Sequence, residues 1–193
     1  MVIDISQEVL SAAVFPGDPK PSVERLLSIK DGAVCNLSAL SMCAHNGTHV
    51  DAPFHFIDEG KTIEQINVEA FVGDCFVARH EGDVSAEDAV HILEQANALG
   101  AGERILIAGK ATVTAEAARV FAQAKIRLIG NESQTVGPEN APMEVHKILL
   151  GAEVVLLEGV VLKDVLTGKY LLSAAPLNLA GCDGAPCRAV LIR

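Results

Sequence analysis

Three of the six histidines and one aspartate lie in the stretch His45-Asn46-Gly47-Thr48-His49-Val50-Asp51-Ala52-Pro53-Phe54-His55. Imidazole nitrogens and carboxylate oxygens at short spacing form the donor set of a Zn²⁺, Mn²⁺ or Fe²⁺ site. The i, i+4 spacing of His45 and His49 suits a helix, but Gly47, Thr48, Val50 and Pro53 argue for extended chain. In extended chain, residues an even number apart share a face, so His45, His49, Asp51 and His55 project together. Val50, Phe54 and Phe56 are expected on the opposite, core-facing side. At ~3.3 Å per residue, His49 and Asp51 reach one ion directly, whereas His45 and His55 do not. The chain must therefore kink at Gly47 and fold back after Pro53. Two imidazoles and a carboxylate leave a coordination position for water, whose pKa a bound Zn²⁺ lowers to about 7. A further histidine nearby can move protons. A lone histidine is usually a solvated surface group, but four polar side chains on one face would be costly to bury without a shared partner. His80 and His91 lack such company and read as structural or solvated.

Composition narrows the remaining possibilities. The chain has 193 residues, half of them apolar, and a formal net charge of −10. That length suits one domain with a real core, spanning residues 1–193. The acidic balance disfavours nucleic acid, which needs clustered Lys and Arg, and anionic membrane surfaces. No apolar run approaches the ~18 residues of a membrane span, and the N-terminus does not read as a secretory signal. The five cysteines, Cys35, Cys43, Cys75, Cys182 and Cys187, are odd in number and lack C-x-x-C spacing. A disulfide framework is not expected, and a reducing cytoplasm is the natural location. The motifs H-E-x-x-H, G-x-S-x-G, Walker A and G-x-G-x-x-G are absent, so nothing supports a serine nucleophile or a nucleotide cofactor.

Several elements must position the cluster. Val2 to Ser6, Leu37 to Ala44 and Phe71 to Arg79 are strand-like, and Phe15-Pro16-Gly17-Asp18-Pro19 is a turn. Ser85 to Leu99 reads as a helix with Ser85 as N-cap, Asp88 completing a capping box and Gly100 as the stop. Then follow strand Arg104 to Ala108, helix Thr114 to Lys125, strand Ile126 to Ile129, a helix around Pro142 to Leu150 and strand Glu153 to Leu157. Tyr170 to Ala174 and Arg188 to Ile192 close the chain as strands. The alternation predicts an α/β fold with βαβ units, parallel pairing and a mixed, barrel-like sheet.

The form H-x-G-T-H-x-D-A-P-x-H over His45 to His55 resembles the signature of the cyclase-like metal-dependent hydrolases, a family that includes bacterial kynurenine formamidase and isatin hydrolase. Asp4-Ile5-Ser6, Phe15-Pro16-Gly17-Asp18, Phe54-His55-Phe56 with Gly60-Lys61, and Ala175-Pro176-Leu177 with Gly181 to Val190 extend the resemblance over nearly the whole chain. It implies a swivelling β/β/α fold, usually dimeric, with one or two divalent ions. Zn²⁺ is the first choice and Mn²⁺ the second. It implies His45, His49 and Asp51 as metal ligands, with His55 as catalytic histidine or ligand of a second ion. His146 and Glu158 match the family's C-terminal ligands, and Glu158 closes the apolar run Val154 to Leu157, where an unpaired carboxylate is costly. The implied reaction is hydrolysis of an amide or lactam C–N bond in a small molecule by metal-bound hydroxide. His55 or Glu158 passes the proton to the leaving nitrogen. Phe15 stands where the formamidase has Trp, and Gly130 to Gln134 differs from its Asp-containing counterpart, so the metal chemistry carries over better than the substrate. Two rivals remain: a metal-dependent lactonase, dehydratase or isomerase acting on an oxo- or hydroxy-acid, and a non-catalytic metal-binding protein with a closed coordination sphere.

Overall fold

The computed structural model describes residues 1–193. The first half supplies short strands: β1 (Val2–Asp4), β2 (Ser22–Leu27), β3 (Leu37–Ser41) and β4 (His49–Asp51). The middle alternates: β5 (Val72–Arg79), β6 (Gly82–Val84), α1 (Ala86–Ala98), β7 (Arg104–Ala108), β8 (Ala111–Val113), α2 (Ala115–Gln123), β9 (Leu128–Asn131), α3 (Met143–Gly151) and β10 (Val155–Glu158). Then come β11 (Gly168–Ser173), β12 (Gly184–Pro186) and β13 (Val190–Ile192).

Local chemistry sets the helix starts. The Ser85 hydroxyl accepts from the Asp88 N–H while the Asp88 carboxylate accepts from the Ser85 N–H, the reciprocal capping expected from the sequence. Thr114 caps α2 by accepting from the Ala117 N–H.

Nine strands form one curled half-barrel sheet in the order β1-β13-β11-β5-β7-β9-β10-β4-β12. The central β5, β7, β9 and β10 run parallel, and the flanking strands pair antiparallel. Alternation along the strands divides the core in two. Phe76, Ile105, Ile107, Ile129 and Leu156 face the three helices. Cys75, Val77, Leu106, Leu128 and Leu157 face the interior of the curl, filled also by Val50, Tyr170, Leu172 and Leu191. The sheet is hydrophobic on both faces because both faces are covered.

Several expected elements shift. The strand expected at Ile126 to Ile129 lies at Leu128–Asn131, because Ile126 and Arg127 complete the turn out of α2. The run Leu37 to Ala44 is a strand only to Ser41, and it pairs with β2 in a hairpin exposed at every position. Ser22–Leu27, with Ser, Glu and Arg among its residues, carried no strand signal. No helix is long and apolar enough to cross a membrane.

Candidate metal centre

β4 lies between β10 and β12, and the register of these three short strands builds the site. Glu158 is the direct cross-strand partner of His49, so imidazole and carboxylate stand side by side on one face. Asp51 lies two residues on and shares that face, while Val50 turns into the opposite core. His146 reaches in from α3. His49, Asp51, His146 and Glu158 are all buried.

The two bends demanded by the sequence are present. Gly47 adopts φ +67°, the left-handed region natural to glycine, and turns the chain so that His45 swings back over the strand. Past Asp51, a 3₁₀ turn over Pro53–His55 returns His55 to the same cavity. Only His49 and Asp51 lie on a strand, and the bends deliver His45 and His55 to it. The expected core-facing position of Phe56 is corrected. Its ring stands 4.6 Å from those of His55 and His146, on the site side, because the 3₁₀ turn breaks the alternation.

The polar atoms converge on Asp51. His45 Nδ1 lies 2.8 Å from Asp51 Oδ1, and His49 Nε2 lies 3.3 Å from the same oxygen and 3.5 Å from Glu158 Oε2. His146 Nε2 lies 3.6 Å from Asp51 Oδ2 and 3.3 Å from Glu158 Oε1. The Nδ1 atoms of His49 and His146 face the carbonyls of Gly47 and Pro142 at 3.0 and 2.9 Å. A carbonyl only accepts, so these nitrogens carry the proton and each Nε2 is aimed at the carboxylates.

Electrostatics bind the cluster together. Burial pulls the His45 imidazole down, but hydrogen bonds to Asp183 and Asp51 outweigh it and lift its pKa to about 9. Burial is likewise overcome at His49, held well above its usual value by Asp51 and Glu158. Burial pushes Asp51 up, yet hydrogen bonds from His45 and His49 hold it well below the usual carboxylate range. His146 is raised by Glu158 against the pull of burial.

The donor set fits a divalent cation. His49, Asp51 and Glu158 each present a ligand atom within 4.8 Å of the others, and so do His45, Asp51 and His55. Asp51 belongs to both groups, and its buried Oδ2 has no hydrogen-bond partner. Such an orphaned anionic oxygen is costly without a cation. The cluster opens on a cavity of about 240 Å³ lined also by Phe15, Asp18, Gln134 and Thr135. Larger surface cavities lie away from these groups and contain no histidine.

The six residues singled out in the sequence therefore meet at one place, including His146 and Glu158 from about 100 positions downstream. One participant was missed. Asp183, in the turn before β12, places Oδ2 2.7 Å from His45 Nε2 and 3.0 Å from His55 Nδ1. Hydrogen bonds from these two rings hold its carboxyl far below the usual range. The only sequence signal was an acid between Gly181 and Gly184, with nothing local to reveal its partners 138 and 128 positions away.

A curled α/β sheet that gathers imidazoles and carboxylates around one cavity at its β10–β4–β12 end defines a class of hydrolase-like metal sites. The chain belongs to the Cyclase family, whose profile matches residues 3–138. A kynurenine formamidase of Bacillus cereus is 36% identical over 204 residues, covering 98% of this chain and 96% of the relative. One from Erythrobacter litoralis is 30% identical, covering 97% and 92%. Among solved structures, a potential metal-dependent hydrolase with cyclase activity superposes with TM-score 0.82 at 29% identity, covering 99% and 96% of the two chains. An isatin hydrolase bound to thioisatinate shares the fold, with TM-score 0.83 at 19% identity over 98% and 91%.

Proposed function

We propose that this chain is a metal-dependent hydrolase that cleaves an amide or lactam C–N bond in a small molecule, as kynurenine formamidases do with a formamide. The observation that carries the reading is the unpartnered buried Oδ2 of Asp51, on a carboxylate whose oxygens face His45, His49 and His146, with Glu158 facing the same His49 and His146 rings, beside an open cavity. These five residues are the candidate ligands of one or two ions, and His55 is either a ligand of the second or the proton carrier. Imidazole and carboxylate donors suit Zn²⁺ first and Mn²⁺ second. A divalent ion held there supplies Lewis acidity that polarises a carbonyl and lowers the pKa of water.

The protein's own groups do the rest. His55 is partly exposed and lines the cavity, within reach of a leaving nitrogen that needs a proton. Glu158 is the second candidate proton carrier. Phe15 and Phe56 flank the same space and give a planar substrate two apolar walls. A closed, purely structural metal site would not need this cavity, which favours catalysis over storage.

We further propose a homodimer. The β2–β3 hairpin exposes Val23 and Leu40, which are cross-strand partners, together with Leu26, Leu27 and Leu37. Two strands alone are marginal in water, and a second copy would cover their apolar side chains. Five free thiols suit a reducing cytoplasm.

The test is turnover of an aryl formamide, a lactam and a lactone by protein loaded with Zn²⁺ or Mn²⁺. Cleavage of the first two is expected. Turnover of the lactone alone would favour an esterase-type reaction, and no turnover with a retained ion would favour the non-catalytic alternative.

A further inference from the structure

Asp183 and Asp51 occupy opposite nitrogens of one ring. His45 Nδ1 faces Asp51 at 2.8 Å, and His45 Nε2 faces Asp183 at 2.7 Å. The same Asp183 oxygen meets His55 Nδ1 at 3.0 Å, and the rings of His45 and His55 stack 4.0 Å apart, tilted by 28°. One carboxylate oxygen therefore anchors two imidazoles side by side.

The surrounding backbone is built for this contact. Gly184 pairs with Asp51 across β12 and β4. A Cβ at Gly184 would stand 2.8 Å from the His45 ring and 2.7 Å from the Val50 carbonyl, so only glycine lets the ring settle there. The Asp183 carbonyl accepts from the Ala52 N–H at 2.9 Å, and the Cys182 carbonyl accepts from Ile63 at 2.9 Å. Asp183 is thus tied by main chain to the segment that carries Asp51 and His55. Its side chain is 40% exposed, so it stays solvated enough to remain an anion.

An ionised carboxylate accepts hydrogen bonds and donates none. Each ring nitrogen facing a carboxylate carries a proton: Nδ1 of His55, and both nitrogens of His45 until a cation at Asp51 takes the place of the proton on Nδ1. A neutral imidazole then has its other nitrogen bare. We infer that Asp183 is a positioning residue: it fixes the proton of His45 on Nε2 and that of His55 on Nδ1, leaving His45 Nδ1 bare for a cation held at Asp51 and His55 Nε2 bare for proton transfer. The inference rests on the metal-hydrolase reading of the site. It assigns His45 the role of an Nδ1 donor whose far nitrogen is braced by a carboxylate, a common way of fixing ligand tautomer and basicity. It assigns His55 the opposite reactive atom, and both assignments come from a residue that need not touch the ion.

The experiment is long-range ¹H–¹⁵N correlation of histidine-labelled, zinc-loaded protein, with Asp183→Asn and Asp183→Ala alongside. In the parent, His55 is expected to show Nδ1–H with bare Nε2, and His45 to show Nε2–H. In Asp183→Ala the His55 proton is expected to move to Nε2 or exchange between both nitrogens. Zinc affinity should fall by about 10- to 100-fold, and kcat should fall with KM within about twofold. Asp183→Asn keeps an acceptor oxygen and should restore the parent tautomers with a smaller loss. Unchanged ring protonation in Asp183→Ala would overturn the inference. So would Nε2–H on His55 in the parent, a result that decides the matter even if the alanine variant does not fold. A parent that binds no zinc would instead defeat the metal reading, whereas zinc bound with other tautomers would defeat only the role of Asp183.

Discussion

At the scale of single residues, the site separates groups that hold a cation from groups that move protons. His49 is buried, with its Nδ1 fixed by the Gly47 carbonyl and its Nε2 between two carboxylates. His49→Ala is expected to lose the metal, read by metal analysis after dialysis. His55 is more exposed and faces the cavity. His55→Ala is expected to retain at least one ion while turnover falls by about 10²- to 10⁴-fold; equal activity in both variants would refute these roles. Protons and cation compete for the same atoms. His45 titrates at about 9 in the metal-free fold against 6.5 ordinarily. A raised pKa means that its proton stabilises the metal-free fold fully below pH 6.5, and that this contribution fades as pH rises toward 9. The ion must displace that proton, so Zn²⁺ affinity should climb between pH 6.5 and 9, by about tenfold per unit for each proton released. Chelator competition at several pH values checks this, and a flat profile would contradict it.

At the scale of elements, positions are set by register and by bends. The cross-strand pairing of His49 with Glu158, and of Asp51 with Gly184, makes three short strands into one ligand platform. Gly47 brings His45 back onto it. Gly47→Ala would force a Cβ into the left-handed region, 3.3 Å from a Val9 methyl. It should cost about 1–2 kcal/mol, read by denaturant unfolding, and weaken metal binding as well; unchanged stability would remove Gly47 from the argument. Elements with strong local chemistry were legible in the sequence. The Ser85–Asp88 capping box announced α1, and the compact apolar run Arg104–Ala108 announced β7. The need for bends at Gly47 and Pro53 followed from ligand spacing alone. What sequence could not convey was long-range register. The convergence of His146 and Glu158 was expected through family resemblance, since neither spacing nor periodicity joins them to residue 50. Asp183 remained hidden because its partners lie more than 120 positions away. Phe56 was misplaced because strand alternation was carried through a 3₁₀ turn. The β2–β3 hairpin was half-legible: its apolar residues resemble a core strand but are exposed on both strands.

At the scale of the whole molecule, a sheet with two covered faces leaves its β10–β4–β12 end free to carry the site, and the exposed hairpin arises between Phe15–Asp18 and His45, which line or flank the cavity. Association through the hairpin would therefore act directly on the walls of the site. The double variant Val23→Asp/Leu40→Asp is expected to convert a dimer to a monomer by sedimentation velocity; an unchanged dimer would place the interface elsewhere. The central claim is that Asp51 anchors a divalent cation. Its most direct test is crystallography of metal-replete protein with anomalous data collected at the absorption edge of the metal supplied. At least one anomalous peak is expected in bonding contact with Asp51 and His49, and absent from Asp51→Asn. No peak at Asp51 in fully metal-replete crystals would contradict the account.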